Sequence, residues 1–517
     1  MARTAVKVFY GIAPIVLVAG LLALASCSGS PAANFTSTTT QTQPPQNPIG
    51  SNLTKLSSDP FTVGPGQHAT EVEPHMLANG NTLVAAFQVG RIVQGGGTDI
   101  GWATSTDGGS TWAHGSLPGL TKGEGTGPYD AASDPAVAYD AKHQVWMIAS
   151  LPIASTRTPA VVVSRSTDGG QTWQSPVSVD PSAASSDKNW IVCDSWSNSP
   201  HYGNCYVEWD DPANFEQILM STSADGGLTW SAGTATADLT GGIGGQPLVQ
   251  PNGNVIVPLW LVSNNMGAFT STDGGASWGA TTIISNMQSH ADGGGIRSGP
   301  LPSAAVDGAG NVWVVWEDCR FRANCSANDL VYSTSPDGAN WSAVTRVPID
   351  VVSSTADYFI PGIGIDPATA GSTAHVGIHY YYYPQTNCAF STCQLYVGFT
   401  SSANGGSTWN TPATIAGPSL LSWLPASQNG WMVGDYIATV FANGVPHGVF
   451  AVAAANSATT FHEAIYTGQG LSVKASAGQL SSAGDRPLHH MTEQIETETP
   501  EKGVIPPLKR RASRHAK

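Results

Sequence analysis

One short phrase recurs six times in this chain and constrains its fold more than any other feature. The copies read STDGGSTW, STDGGQTW, SADGGLTW, STDGGASW, SPDGANW (one residue short) and SANGGSTW. Their acidic or amide positions are Asp107, Asp168, Asp225, Asp273, Asp337 and Asn404, which lie 61, 57, 48, 64 and 67 residues apart. Because repeats build one large unit, the length of 517 residues does not by itself predict several domains.

The phrase predicts a β-turn. Each copy lies between two short runs of β-forming residues, such as VVVSRS before the second copy and QSPVSV after it. The Asp carboxylate accepts hydrogen bonds from N–H groups ahead of it, and the glycine pair supplies left-handed backbone. The Trp is an apolar anchor for burial between neighbouring repeats. A calcium loop is the alternative, but the ligand spacing of an EF-hand is missing, so we interpret the six positions as structural.

Composition and charge narrow the fold class and the partners. Charged residues are 11% of the chain, whereas Gly numbers 58 and Pro 35. With no long apolar helical stripe, this composition predicts an all-β fold rich in turns. The formal net charge of -15 leaves no basic stripe for a phosphate backbone and excludes a nucleic-acid partner. We expect a monomer that needs no cofactor and no metal.

The N-terminal residues predict export. Arg3 and Lys7 precede an apolar run that ends in Leu-Ala-Ser-Cys at Cys27. A basic start, an apolar run and small residues before a cleavage site are typical of signal peptides, and the last four residues resemble a lipobox. We therefore predict lipidation of Cys27 and a protein anchored by lipid to the bacterial cell envelope, outside the cytoplasm. A plain transmembrane anchor is the alternative, since the apolar run is just long enough to span a bilayer.

The other cysteines form three close pairs in the sequence. These are Cys193 with Cys205, Cys319 with Cys325, and Cys388 with Cys393. In an exported protein such local pairs predict disulfides that hold loops. Zinc is the alternative, but the CxxC spacing is absent and no His lies at ligand spacing.

Composition divides the chain into four segments. Residues 1–27 are the predicted signal peptide, and residues 28–56, rich in Ser, Thr, Gln and Pro, are a predicted disordered tether. Residues 57–484 hold the repeats and are the predicted folded domain. Residues 485–517 are polar, end in LKRRASRHAK and are a predicted disordered basic tail.

The phrase S-x-D-G-G-x-T-W resembles the Asp-box of sialidases and their relatives. The resemblance covers about residues 57 to 470 and implies a β-propeller of four-stranded blades, with each box on the turn between a blade's third and fourth strands. It also implies that ligands bind near the axis on the face opposite the boxes. Because Asp-boxes also occur in non-catalytic propellers, the resemblance predicts the fold better than the activity.

The blades can be counted from a second, weaker repeat. A predicted pair of inner strands precedes each box, and a further pair, GDYIATVFANGVPHGVFAVAAA, has no box. We therefore predict seven blades, with six, as in sialidases, as the alternative. The segment SSDPFTV, Ser57 to Val63, is similar to the strand that follows each box. We predict that it supplies the outer strand of the last blade, which removes exposed sheet edges.

Carboxylates mark the starts of several predicted inner strands, on the face where the resemblance implies a ligand. The candidates for catalysis are Glu73, Asp134, Asp187, Asp357, Asp435 and Tyr380. The candidates for substrate binding are Arg91, Arg297, Arg320, Trp190 and Glu317. Like charges gathered round one axis raise one another's pKa and are typical of functional sites. Capping of strand ends is the alternative interpretation for each residue.

Two functions fit this pattern. The first is binding of an extracellular glycan or protein on the axial face. The second is sialidase-like glycoside hydrolysis, as by an exo-alpha-sialidase, with two axial carboxylates as catalysts. Sialidases hold the substrate with three arginines, the first in an Arg-Ile-Pro motif where this chain has Glu73-Pro74-His75. This departure favours binding, and the sequence leaves open whether the chain is an enzyme.

Overall fold

The computed structural model describes residues 48–50, 52–155, 157–181, 185–457, 460–473 and 480–488. Within these ranges the chain forms β-strands and short 3-10 helices, so the predicted all-β class is confirmed. No helix in these ranges is long and apolar enough to cross a membrane. The predicted signal peptide with Cys27, most of the predicted tether and residues 489–517 of the predicted tail lie outside the described residues.

The strands form antiparallel groups that follow one another along the chain, after a short strand β1 (Leu53–Lys55). The first group is β2 (Gln67–Asn79), β3 (Thr82–Arg91), β4 (Gly97–Ser105) and β5 (Ala113–Ser116). The second is β6 (Ala131–Asp140), β7 (Val145–Ile153), β8 (Val162–Ser166) and β9 (Val177–Ser178). The third is β10 (Asp187–Cys193), β11 (Cys205–Asp211), β12 (Gln217–Ser223) and β13 (Thr234–Ala235). The fourth is β14 (Gly242–Ile243), β15 (Leu248–Val249), β16 (Val255–Leu261), β17 (Asn265–Ser271) and β18 (Thr282–Asn286).

The remaining groups follow the same plan. The fifth is β19 (Ser303–Val306), β20 (Val312–Asp318), β21 (Asp329–Ser335) and β22 (Thr345–Arg346). The sixth is β23 (Asp357–Ile365), β24 (Val376–Tyr383), β25 (Gln394–Ser402) and β26 (Ala413–Leu420). A hairpin of β27 (Ala426–Ser427) and β28 (Gly430–Trp431) precedes the last group, β29 (Ala438–Ala442), β30 (Val445–Ala453) and β31 (Glu463–Gly468). The 3-10 helices are Pro212–Asn214, Gly293–Gly295, Ala323–Cys325, Gly371–Thr373 and Leu421–Trp423.

The hydrophobic core lies between consecutive groups rather than in one centre. One apolar cluster joins the first and second groups, another the second and third, and so on along the chain, while the largest joins the sixth, the last and the first. Strands such as β4 and β7 are therefore buried along their full length. The strands β2, β6, β10, β15, β19, β23 and β29, which we call the first strands, line one cavity of about 320 Å³, the axial cavity.

The Asp-boxes form turns that are held by side-chain hydrogen bonds, as predicted. In the first box the Asp107 carboxylate accepts hydrogen bonds from the backbone N–H of Ser110 (3.0 Å) and Thr111 (2.8 Å). Gly108 and Gly109 have left-handed φ angles of 71° and 86°. In the last box, Asn404 Oδ1 keeps the acceptor role for the N–H of Thr408 (2.9 Å). Each box lies between the last two strands of its group, where the resemblance placed it.

The last glycine of each box, which is the only glycine of the fifth box, also lets the turn contact the preceding group. A Cβ on Gly170 in the second group would lie 2.8 Å from Val84 Cγ2 in the first, and one on Gly227 would lie 2.7 Å from Met147 Sδ. The box of the first group contacts the last group, because a Cβ on Gly109 would lie 2.9 Å from the His447 ring. Only glycine permits this close approach together with a positive φ.

The first and last groups are joined by strand pairing. β1 pairs antiparallel with β31, with Leu53 opposite Gly468. The predicted closing strand was therefore wrong in position, because Ser57 to Val63 forms no strand. Pro60 has no N–H to donate there, and the Asp59 carboxylate accepts from the N–H of Phe61 instead. Since β1 lies within residues 28–56, the predicted tether ends before Leu53.

The boundary of the predicted tail and the cysteine pairs can also be compared with the prediction. The first residues of the predicted tail contact the folded domain, because Asp485 pairs with Arg346 (3.4 Å) and the Leu488 N–H donates to the Arg320 carbonyl (2.8 Å). The predicted disulfides are confirmed as Cys193–Cys205, Cys319–Cys325 and Cys388–Cys393.

The contact between a box and the preceding group can be tested with the two glycines of one turn. Gly169 and Gly170 share a φ of 81°, but a Cβ on Gly169 meets no atom within 4 Å. We expect Gly170→Ala to lower the free energy of unfolding by about 1–3 kcal/mol more than Gly169→Ala, because only the first alanine collides with the neighbouring group. Urea denaturation of both variants measures the difference, and equal losses would contradict this contact.

The join between the first and last groups contains two buried carboxyls. Glu71 is 2% exposed and accepts a hydrogen bond from Ser57 Oγ (2.7 Å). The nearby Glu463 is 1% exposed, and neither of its carboxyl oxygens has a hydrogen-bond partner. Burial raises the pKa of Glu71 from 4.5 to about 7 and also raises the pKa of Glu463.

This join predicts a pH dependence. Between pH 4.5 and about 7 the unfolded chain loses the Glu71 proton while the folded chain keeps it, so stability falls as pH rises. We expect Glu71→Gln to remove this fall in stability. In the wild type the fall amounts to at most about 3 kcal/mol of the free energy of unfolding once the pH is above the raised pKa. Urea denaturation across pH 4–8 measures it, with Glu124→Gln, on the loop before β6, as control. Parallel pH profiles for wild type and Glu71→Gln would refute the assignment.

Candidate functional site

The two ends of the first strands have different chemistry. The turn after β2 lies beside the first Asp-box, since the Gly108 N–H donates to the Asn81 carbonyl (2.9 Å). Glu73 lies six residues before the end of β2, and Lys188, which it contacts, is the second residue of β10. Boxes and candidate carboxylates are therefore separated along the strand, as the resemblance implied.

The candidate residues occupy bulges in the first strands. The ladder is interrupted between Val72 and His75 on β2, and equivalent interruptions occur on β6 and β10. Glu73, Asp134 and Lys188 lie in these interruptions with left-handed φ angles of 57°, 49° and 46°. Bulges redirect side chains, and strained backbone persists only where surrounding contacts hold it. The repeated bulge therefore places one charged residue at the same point of three neighbouring groups.

Lys188 is the centre of a buried ion-pair network. Its Nζ lies 3.3 Å from Glu73 Oε1 and 3.9 Å from Asp134 Oδ1, and it bonds more closely to Asp435 Oδ2. The Arg297 guanidinium binds Asp435 through two nitrogens, with Nε 2.7 Å from Oδ1. We call Glu73, Asp134, Lys188, Arg297 and Asp435 the charged cluster. Its carboxylates already have counter-ions within the protein.

A ring of polar groups supports the cluster. Gln88 Nε2 donates to Glu73 Oε2 and to Ser133 Oγ (3.1 Å). Arg91 Nη1 in turn donates to Gln88 Oε1 (2.8 Å). Arg91 is 2% exposed, so its positive charge lies in the protein interior beside the charged cluster.

Burial and charge separate the pKa values of the carboxyls. Burial raises the pKa of Glu73 to about 8, against the opposing effect of Lys188. Burial and the neighbouring Asp134 raise the pKa of Asp187 to about 6. Although burial opposes them, Arg297 and Lys188 hold the pKa of Asp435 below its usual value. The pKa values of neighbouring carboxyls are thus pushed apart, a pattern typical of acid–base pairs.

Aromatic side chains separate the charged cluster from the axial cavity. Lys188 Nζ lies 6.0 Å from the ring centre of Tyr436. The Trp190 ring packs edge-on against Tyr436 (5.0 Å) and against His75 on its other side (4.5 Å). Trp190 lines the axial cavity, and with Tyr436 and Lys188 it also lines a small recess on the charged side.

Loops lie beside the charged cluster, on the face of the protein that we call the charged face. The Arg297 N–H donates to the Trp431 carbonyl on the hairpin β27–β28 (2.7 Å). The Trp431 ring stacks on Phe390 (4.9 Å, 29°), which is 41% exposed. Phe390 lies inside the loop closed by the disulfide Cys388–Cys393. An aromatic pair, the exposed Phe390 and the half-buried Trp431, therefore lies beside the loop that carries Arg297.

Several predicted site residues lie elsewhere. Asp357 belongs to a second group of acidic side chains, where it accepts from the Asn328 N–H (2.7 Å), and Glu317 of that group accepts from the Ile360 N–H (3.3 Å). Tyr380 is buried in the core between the fifth and sixth groups, so its assignment to the site was wrong. Arg320 binds Asp318 (2.6 Å), and an arginine set with Arg91 and Arg297 does not form.

The sequence interpretation missed Lys188, Tyr436, Trp431 and Phe390. Lys188 had a signal: it occupies the position of Glu73 and Asp134, each of which precedes a proline in its first strand. Within the described ranges, no three His, Cys, Asp or Glu side chains are arranged to hold a metal ion.

Comparison with known families agrees with the repeat. Residues 120–307 match the family described as "BNR repeat-like domain". The matched residues cover less than half of the chain. They include Asp134, Lys188 and Arg297, whereas Glu73 and Asp435 lie outside them. The comparison with curated proteins found no match.

Solved structures resemble the chain weakly. A protein of unknown function from Dyadobacter fermentans is 16% identical with a TM-score of 0.43, over 68% of this chain and 99% of that one. A leech intramolecular trans-sialidase is 14% identical with a TM-score of 0.39, over 77% and 67% of the two chains. A mutant NanB sialidase from Streptococcus pneumoniae is 14% identical with a TM-score of 0.41, over 83% and 71%. Likenesses this weak say nothing about activity.

The central role of Lys188 in the cluster can be tested. We expect Lys188→Met to lower the free energy of unfolding by about 3–5 kcal/mol, because Glu73, Asp134 and Asp435 lose their shared counter-ion in a buried place. Lys122→Met is the matched control, since that lysine pairs with Asp130 where both side chains are exposed (61% and 46%). Urea denaturation compares the free energies of unfolding of the two variants, and similarly small losses of stability in both would contradict the network.

Proposed function

We propose that the chain is an exported, lipid-anchored β-propeller that binds an extracellular glycan on its charged face. In this proposal the strand groups are seven blades, and β1 completes the last one. The axial cavity lined by first strands from every group supports the arrangement, as does the contact of the first Asp-box with the last group. The three disulfides support an oxidising compartment outside the cytoplasm.

The observation that carries the proposal is the aromatic pair beside Arg297. Aromatic rings pack against the apolar face of sugar rings. The exposed Phe390 ring and the half-buried Trp431 ring form such a surface on loops held by a disulfide and by the Arg297–Trp431 hydrogen bond. The Arg297 side chain is 21% exposed and has donors suited to sugar hydroxyls or carboxylates.

The charged cluster itself favours binding over hydrolysis. Hydrolysis requires two carboxyls that flank the scissile bond about 5–9.5 Å apart. Glu73 and Asp134 are 1% and 3% exposed, and Lys188 joins both to Asp435. A cationic side chain of the protein itself already pairs with these carboxyls.

Glycoside hydrolysis is the second candidate, supported by the separated pKa values. Glu73, whose pKa burial raises to about 8, is a potential general acid, and Asp435, held ionised by Arg297, is a potential nucleophile. This chemistry requires Lys188 and Arg297 to release the carboxylates when substrate enters.

Glycan binding is tested on an array of sialylated and neutral glycans, followed by calorimetry with the best ligand. We expect Trp431→Ala to weaken binding by about tenfold or more, because stacking is lost. Trp341→Ala, which removes a half-buried Asp-box tryptophan from the opposite face, should bind like the wild type, with folding of each variant checked by thermal melting. Absence of glycan binding, or equal loss in both variants, would refute the proposed site.

The same proteins are assayed with chromogenic glycosides, sialosides included. Turnover that Glu73→Gln abolishes and Glu71→Gln retains would replace binding with hydrolysis as the function. The two glutamates suit this comparison because they lie on the same strand and are both buried, while only Glu73 contacts Lys188.

A further inference from the structure

The axial cavity is a space distinct from the charged face. It has a volume of about 320 Å³ and extends to the far ends of the first strands, where Asn79 is exposed. Those ends lie beside the Asp-boxes. Trp190, His75 and Tyr436 pack together at the end nearer the charged cluster. The cavity therefore lies on the side of the protein that carries the Asp-boxes, which we call the box face.

Its lining is mainly apolar. Side chains such as Leu248, Ala305, Ile363 and Val440 come from four different first strands. Among the described residues that line this cavity, none is an Asp, Glu, Lys or Arg. A charged ligand would lose its hydration there without a counter-ion, and a sugar would leave several hydroxyls unpaired. The volume falls at the lower end of the range of small-molecule sites, about 300–1,000 Å³.

One lining residue supplies a fixed hydrogen-bond donor. His75 Nδ1 accepts a hydrogen bond from the Val137 N–H (2.9 Å). Burial lowers the pKa of His75 to about 3, so the ring is neutral and its hydrogen lies on Nε2. Trp190 packs against the same ring and limits its movement. The cavity thus combines apolar walls with a preorganised N–H donor.

We propose that the axial cavity binds a small uncharged aromatic or alicyclic molecule whose hydrogen-bond acceptor is held by His75 Nε2–H. The acceptor is a carbonyl or ether oxygen, and the hydrocarbon part fills the space between the first strands. This site is independent of the proposed glycan site, because it opens on the opposite face.

The test compares two probes of nearly the same shape, acetophenone and ethylbenzene, by isothermal calorimetry and ligand-observed NMR. We expect acetophenone to bind one site per chain, about tenfold more tightly than ethylbenzene, because only the ketone accepts from His75. In His75→Phe the two probes should bind equally. Equal binding to the wild type would overturn the donor role, and no saturable binding of either probe would overturn the site.

Two variants fill the cavity. Ala305→Phe narrows it from β19, and Ala78→Phe narrows it near the exposed end of β2. Ala413→Phe, at an exposed position of β26, is the matched control. Loss of acetophenone binding in a folded cavity variant, with binding retained in Ala413→Phe, supports the proposal. Retention of binding in a folded Ala305→Phe or Ala78→Phe variant would place the probe elsewhere and overturn it.

Discussion

The contact between each Asp-box and the strand group before it is the constraint on which the remaining structure depends. The Asp or Asn side chain fixes the turn by accepting hydrogen bonds from backbone N–H groups, and the last glycine of the box then lies against the neighbouring sheet. A side chain in that position would hold the sheets apart, and the apolar clusters between groups would lose their close packing. The same contact repeated along the chain brings the first strands side by side around the axial cavity.

Convergence of the first strands gives the charged face its chemistry. The chain has few cations, with 21 Lys and Arg against 36 Asp and Glu, so buried carboxylates share them. Lys188 serves three carboxylates, while carboxyls such as Glu208 and Glu463 have no cation beside them and have raised pKa values because of burial. The network holds the strand starts together, and its carboxylates are paired within the protein rather than free.

Trp190 links the two ends of the axis. Its ring packs against Tyr436 on the charged side and against His75 on the cavity side. The charged face and the box face therefore share one aromatic wall, although their ligands would differ in chemistry. Polar, multidentate groups and an exposed aromatic ring suit a sugar, whereas mainly apolar walls with a preorganised donor suit an uncharged ring.

The sequence by itself determined the all-β class, the box turns and the disulfide pairs, because turn geometry and short cysteine spacings are local properties. It also placed Glu73, Asp134 and Asp435 on one face, since strand starts can be read from the repeat. Only the tertiary structure decided that Lys188 bridges them, that Tyr380 lies in the core, and that β1 rather than Ser57 to Val63 joins the last group. Those outcomes depend on which side of a strand faces a neighbour that is distant in the sequence, and a one-residue shift in register reverses that side.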